Sequence, residues 1–296
     1  MTTSILTGVI PILITPFDMK GRIDHDSLKS LIDFNIKAGV HGLGVANGSE
    51  IFKLNEAERE LVTKTVVDHV AGRVPVIINT GASGTKLAIQ YSKSAQEKGA
   101  DALMIIPPHF QPVGAGEIAD YYRAIDSEVT IPIILQDIPQ APVPPSMALR
   151  LADECRNISY IKVETMPSPP KVSEIASSTA GGVLTIFGGA GGSYFIEEMR
   201  RGAKGTMPFC SQPKAFVEVW NLFQRGDENA ARSVFNTSIM MVNHLEFQSG
   251  DLFYHLHKQL LVRLGVIEAA YVRSPTNIPD SISQREIDEI IEFLVI

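Results

Sequence analysis

The chain has 296 residues, of which 45% are hydrophobic and 20% charged, a globular composition that excludes a disordered or collagen-like protein. Its formal charge of −7 comes without a basic block, so nucleic acid is not expected as a partner. Two cysteines, Cys155 and Cys210, cannot build a disulfide framework, which suits a reducing compartment.

The first residues lack a basic region followed by an apolar core, so no targeting segment is read there. No apolar run approaches the ~20 residues that a membrane-spanning helix requires. A cytoplasmic protein with no membrane partner is therefore expected. Length alone suggests two domains, although barrels of alternating strands and helices often reach roughly 250 residues as one.

Short branched apolar runs recur at 9–14, 42–46, 74–78, 102–106, 131–135, 159–163, 183–187 and 205–207. Continuous runs of this kind read as strands buried on both faces, as in a parallel sheet. Helical periodicity fills the gaps. A helix over 24–38 closes at Gly39, where glycine can adopt the left-handed cap. Asn55 with Glu58 three residues later forms a capping box ahead of an amphipathic stretch reaching Val70, and 84–98 ends at Gly99.

One βα unit thus recurs every ~20–35 residues, and eight of them closing on themselves predict an α/β fold, the (β/α)8 TIM barrel. An open doubly wound sheet would carry a glycine-rich turn after its first strand, where Pro11 and Pro16 stand instead. Beyond residue 213 the periodicity is helical only, over 216–224, 229–245, 252–264 and 284–294. The expected organisation is a barrel over 1–226 and a C-terminal helical extension of the same domain over 227–296.

Active sites of such barrels lie at the C-terminal ends of the strands. The sharpest candidate there is Lys162, which interrupts an otherwise apolar strand; lysine is almost never fully buried unless paired. Alternation places Tyr160, Lys162 and Glu164 on one strand face. This pattern supports a structural Lys162–Glu164 ion pair, an exposed strand end, or a Schiff-base lysine. In the last case an amine kept neutral by apolar walls attacks a ketone, and the iminium becomes an electron sink.

The turn Asn47, Gly48, Ser49 after the second strand offers side-chain donors and backbone N–H groups for a carboxylate, or else serves only as a βα turn. After the seventh strand, the run Phe187-Gly-Gly-Ala-Gly-Gly-Ser193 does not fit G-x-G-x-x-G. Its glycines would admit close approach of a substrate, hold a phosphate, or merely connect. The seven histidines are scattered, and His255 and His257 lack the helical i, i+4 spacing of metal ligands, so no metal and no other cofactor is expected. No G-x-S-x-G elbow marks a hydrolase triad.

Across nearly its whole length the chain resembles the dihydrodipicolinate synthase/N-acetylneuraminate lyase family of Schiff-base-forming barrel enzymes. The likeness rests on Gly8, Ile14-Thr-Pro-Phe17, Gly48-Ser-Glu50, Gly81, Gly99-Ala-Asp101, Pro108, Tyr160-Ile-Lys162-Val-Glu164, Gly202-Ala-Lys-Gly205 and Val272-Arg-Ser-Pro275. It implies a homotetramer, a 2-keto acid substrate, and Lys162 as the imine-forming lysine. Departures from the synthase pattern are equally informative. Gln136 stands where most members carry a proton-shuttling tyrosine, His109-Phe110 replaces a tyrosine pair, and the aldehyde-binding arginine has no counterpart in 140–145. A glutamine amide cannot act as an acid–base in place of a phenol.

This altered set is similar to the 2-keto-3-deoxy sugar acid dehydratases in its Ala-Asn-x-Ser-Glu, Gln-Asp-x-Pro and Lys-x-Glu-Thr segments. The resemblance implies dehydration through a Lys162 imine, with Glu164 as acid–base and Gln136 orienting substrate or water. Asn47, Gly48 and Ser49 would receive the carboxylate, and Gly189, Gly191 and Met207 would line the substrate. An aldolase or synthase acting on pyruvate and an aldehyde is the second reading; a non-catalytic keto-acid-binding barrel is the third.

Overall fold

A computed structural model describes residues 6–111, 113–178 and 184–295. Eight strands alternate with eight helices in it. The strands are β1 (Gly8–Val9), β2 (Leu43–Val45), β3 (Val76–Asn79), β4 (Ala102–Ile105), β5 (Ile133–Asp137), β6 (Ile158–Val163), β7 (Thr185–Gly188) and β8 (Gly205–Thr206). The helices that follow them are α1 (His25–Lys37), α2 (Glu56–Val70), α3 (Thr85–Glu97), α4 (Ala115–Asp126), α5 (Pro145–Glu154), α6 (Ser168–Ser178), α7 (Phe195–Arg200) and α8 (Pro213–Gln224). All neighbouring strands pair in parallel, in the order β1-β8-β7-β6-β5-β4-β3-β2. The fold is a (β/α)8 TIM barrel with a C-terminal helical extension of α9 (Glu228–Val234), α10 (Met240–Glu246), α11 (Leu252–Arg263) and α12 (Ser281–Val295).

The end strands of the sheet meet through a side chain. His41 N–H donates to Val9 O at 2.8 Å, and Val9 N–H donates to His41 Nδ1 at 3.1 Å. The accepting Nδ1 leaves the proton on Nε2, and burial pushes the imidazole below its ordinary value, so the neutral ring is favoured. Gly8 makes room for it: at φ +83° a Cβ would lie 2.5 Å from the ring.

Helix ends follow the local chemistry of the sequence. Asp24 caps α1 by accepting from Ser27 N–H, and Asn55 and Glu58 form a complete capping box on α2. Strand ends depart more. The run 9–14 forms a ladder only at Gly8–Val9, with one further bridge at Ile12, because Pro11 has no N–H to donate. The run 131–135 starts two residues later, at Ile133, after Pro132, and continues through the polar Gln136 and Asp137. Val183 of the expected seventh strand lies outside the described residues.

The helix expected over 229–245 is broken by a π-turn at Phe235–Ile239. Buried Ala231, Phe235, Ile239 and Asn243 recur every four residues, a spacing that a 3.6-residue helix would rotate out of the core and one wider turn restores. Chain contacts gather into two compact units. One comprises the described residues of Met1–Ile10, His41–Ala46 and Pro75–Pro208, and holds all eight strands; the other comprises Pro11–Val40, Asn47–Val74 and the described residues of Phe209–Ile296. Among the described residues no helix is long and apolar enough to cross a membrane.

Candidate active site

In the strand-bearing unit, Lys162 lies near the C-terminal end of β6 and is only 4% exposed. Sheet register sets it beside Gln136 of β5 on one side and Phe187 of β7 on the other. Its Nζ is 2.8 Å from Glu164 Oε1, and the glutamate side chain is more exposed than the lysine. The strand alternation thus brings lysine and glutamate together.

Asp137, fully buried, anchors the two strand ends that carry this pair. Its backbone carbonyl accepts from Glu164 N–H at 2.8 Å. Its carboxylate accepts from Val143 N–H, from Thr165 N–H and Oγ1–H, and from Lys171 Nζ. The Gln-Asp and Lys-x-Glu-Thr segments are therefore one constellation, joined by the Asp137–Thr165 bond at 2.7 Å.

A directed chain of hydrogen bonds ends on Glu164. Gly81 N–H donates to Asn79 Oδ1 at 3.2 Å, Asn79 Nδ2 to Gln136 Oε1 at 2.7 Å, and Gln136 Nε2 to Glu164 Oε2 at 3.0 Å. Ala190 N–H donates to Glu164 Oε1 at 3.3 Å. The glycine run after β7 leaves room for the pair: a Cβ on Gly189 would lie 2.3 Å from Glu164 Cγ and 2.8 Å from Lys162 Cε. Ala190, Gly191 and Gly192 continue at positive φ. Met207, buried, donates its N–H to Gly188 O at 2.9 Å.

Asn47, Gly48 and Ser49 belong to the other unit, where they form a 3-10 turn. The Ser49 hydroxyl donates to Leu13 O, and Ser49 O accepts from Thr15 Oγ1–H at 2.5 Å. The Ser49 proton is thus committed to the backbone. Asn47 O accepts from Tyr254 O–H at 3.1 Å, and a Cβ on Gly48 would press 3.2 Å from Ile12. Next in the chain, Glu50 is fully buried at φ 54° and receives the Lys258 amine.

The pattern of the Dihydrodipicolinate synthetase family matches residues 5–293. The L-2-keto-3-deoxyarabonate dehydratase of Azospirillum brasilense is 30% identical over 274 residues, spanning 90% of this chain and 88% of that one. A 4-hydroxy-tetrahydrodipicolinate synthase of Pseudomonas syringae pv. syringae is 29% identical, spanning 88% of this chain and 91% of the relative. The crystal structure of YagE from Escherichia coli K12, in complex with pyruvate, superposes with a TM-score of 0.91 at 26% identity over 99% of both chains. The chain belongs to the dihydrodipicolinate synthetase family.

It is accordingly an enzyme of a lyase family whose members carry dehydratase, synthase and aldolase names. Within that family frame, several buried polar groups here escape sequence reasoning. Asn79 ends an apolar strand, and its only sequence signal is a polar residue at the C-terminal end of β3. Glu198 of α7 is buried with Ser168 donating to Oε1, and burial pushes its carboxyl up to about 7. His109 and Phe110 are exposed and not drawn into the Lys162 cluster.

A Ser211–His257–Glu246 line also exists, with contacts of 2.8 and 2.7 Å, where the sequence shows no hydrolase motif. All three side chains are buried, and the imidazole is stacked on Phe209 at 4.1 Å and edged by Phe253 at 4.6 Å. A sealed serine has no path to a substrate, so this line is a core polar network.

Proposed function

We propose that this enzyme dehydrates a short 2-keto-3-deoxy sugar acid through an imine on Lys162. The observation that carries the reading is the hydrogen bond from Gln136 to Glu164 beside Lys162. At the acid–base position stands an amide that can orient but not exchange a proton, and the titratable group in contact with the lysine is Glu164.

The Lys162 amine adds to the C2 ketone, and loss of water leaves an iminium. Glu164 removes a C3 proton, and the electrons of that bond move into the iminium to form an enamine. The enamine returns its electrons to expel the C4 hydroxyl, which leaves as water with the proton held on Glu164. Hydrolysis of the conjugated iminium releases product and restores the lysine. Gly189 supports this reading because its missing side chain leaves the space beside Lys162 Cε and Glu164 Cγ. The roles of Asn47, Gly48 and Ser49 toward the carboxylate, and of Gly191 and Met207 in lining the substrate, rest on the sequence resemblance.

Borohydride trapping with pyruvate, followed by product analysis on a panel of 2-keto-3-deoxy acids, tests the proposal. The expected result is a reduced adduct on Lys162 and loss of water from the substrate. Release of pyruvate and an aldehyde would replace the dehydratase by an aldolase, and absence of an adduct would leave only a binding barrel. In Glu164→Gln, trapping should survive, since Lys162 remains. Turnover should fall by roughly 10²–10⁴-fold, the usual cost of a lost acid–base group. Loss of both together would make the glutamate a structural partner of the lysine.

A further inference from the structure

We infer that Asn79 is a positioning residue that sets the hydrogen-bond direction of the site and, through Gln136, holds Glu164 ready to accept a proton. The inference rests on the acid–base role proposed above for Glu164. Asn79 reaches the cluster because of sheet register. It pairs with Met104, Met104 with Ile134, and Ile134 with Tyr160, so Asn79 shares a sheet face with Gln136 and Lys162 two residues farther along their strands.

The direction of the chain follows from one backbone group. Gly81 N–H can only donate, so it selects the oxygen end of the Asn79 amide in an Asx turn. A Cβ at Gly81 would lie 2.5 Å from Ile106, so the backbone runs close to β4 and the turn has little room to move. With Oδ1 engaged, Asn79 presents Nδ2 to Gln136, which must then offer Oε1 and turn its own NH2 toward Glu164. Both amides are buried at 2% exposure, where an amide turned the wrong way loses its partner.

Glu164 is thus met by donors alone on both oxygens: Lys162 Nζ and Ala190 N–H at Oε1, and the Gln136 amide at Oε2. A carboxylate satisfies all three. A carboxylic acid must donate one hydrogen, and among the described residues the three groups bonded to it are donors, while Glu198 of α7 acts on it only through its charge. The contacts hold both carboxylate oxygens in place beside Lys162, where dehydration needs a base and then an acid in that order. A glutamine at the tyrosine position thereby gains a function of its own, as a relay of fixed direction.

The test is the exchange of pyruvate methyl protons in D2O, followed by NMR against pH. This exchange needs the Lys162 imine and a C3 base but no departing hydroxyl, so it reads the inference whether the enzyme is a dehydratase or an aldolase. In Asn79→Asp the side chain accepts from Gly81 but cannot donate to Gln136, which turns its oxygen toward Glu164. The acid limb of the exchange profile should then move to higher pH, because an acceptor facing the carboxylate disfavours its charged form. On the limb itself the rate at a fixed pH should fall by up to roughly tenfold, while the plateau changes less. Borohydride trapping should persist, because Lys162 is untouched.

Should the Asp variant fail a folding check by thermal melting, Gln136→Met interrupts the same relay and should move the limb in the same direction by less. An unmoved acid limb in a folded variant overturns the positioning role, even if the rate falls. Exchange in Lys162→Arg equal to that of the parent would instead overturn the imine itself. Absence of exchange in the parent overturns both readings.

Discussion

Two buried lysine–glutamate pairs, one in each compact unit, invite direct comparison. Lys162 and Glu164 are two residues apart on one strand, whereas Lys258 and Glu50 are joined across 208 positions. Lys258 is fully buried. It donates to Glu50 and to Tyr271 O, lies 4.5 Å above the Phe17 ring, and shares that ring with Arg273 at 4.3 Å. Lys53 stands 3.3 Å from the other Glu50 oxygen, and burial pushes the Lys258 amine down to about 8 despite its partner.

Burial and an acidic partner are therefore common to both lysines and do not by themselves make a nucleophile. The difference lies in what surrounds the amine. Around Lys258 an aromatic ring, a carbonyl and two further cations occupy the space. Beside Lys162 the position that a side chain would fill is Gly189, and the partner carboxylate is reached by amide donors and keeps 16% exposure. One pair holds a turn in place; the other has room for chemistry.

The largest expected effect separates the two pairs by reactivity. Lys162→Arg should reduce turnover to background and abolish the borohydride adduct while leaving the melting transition in place, because a guanidinium remains protonated and cannot attack a carbonyl. Residual turnover with an adduct at Lys258 would invert the comparison. Lys258→Met should act on stability. Removing one partner of a buried pair typically costs ~3–5 kcal/mol, with the low end expected here because Lys53 still faces Glu50. Denaturant unfolding reads this loss, and Glu50→Gln in the same chain should recover part of it.

Glu198 sharpens the comparison as a buried carboxyl with no ion pair among the described residues. Its Oε2 has no hydrogen-bond partner among the described residues and lies where a Cβ on Gly188 would be. Burial is the largest cause of its rise from 4.5 to about 7, with smaller contributions from Glu197 and Glu164. A carboxyl raised in the folded state contributes stability that is fully present below pH 4.5 and lost as pH rises through about 7. Glu198→Gln should therefore leave stability unchanged near pH 4.5 and raise it at pH 8 by at most ~3 kcal/mol, since each pKa unit corresponds to about 1.4 kcal/mol. Melting curves at the two pH values check the sign; a loss at pH 8 would show that the charged form is stabilised in the fold.

Much of the barrel is legible along the chain because each βα unit writes its own local signals. Apolar runs of strand length, the Asn55–Glu58 box and the glycines closing α1 and α3 all act within a few residues. The Lys162–Glu164 pair is legible for the same reason, since strand alternation is a local rule. Strand limits are less so: Ile133–Asp137 extends into polar residues because Asp137 takes its partners from Val143, Thr165 and Lys171. The turn at Ser49 reads as a donor in sequence, yet its hydroxyl proton goes to Leu13 O, a contact 36 positions away.

By itself, then, the sequence determined the barrel order, the helix caps and one strand-borne lysine with its glutamate neighbour, because these depend on spacings of two to four residues. Tertiary structure decided everything that depends on register between strands or on helices far along the chain. Register set Gln136 beside Lys162 and brought Asn79 within 2.7 Å of Gln136 across 57 positions. Burial sealed Lys258 and Glu50 together, although on α11 that lysine is spelled like any surface one. Apolar periodicity carries the hydrophobic effect and survives in a linear pattern; a hydrogen bond depends on angstrom-scale geometry between distant residues, which no local pattern encodes.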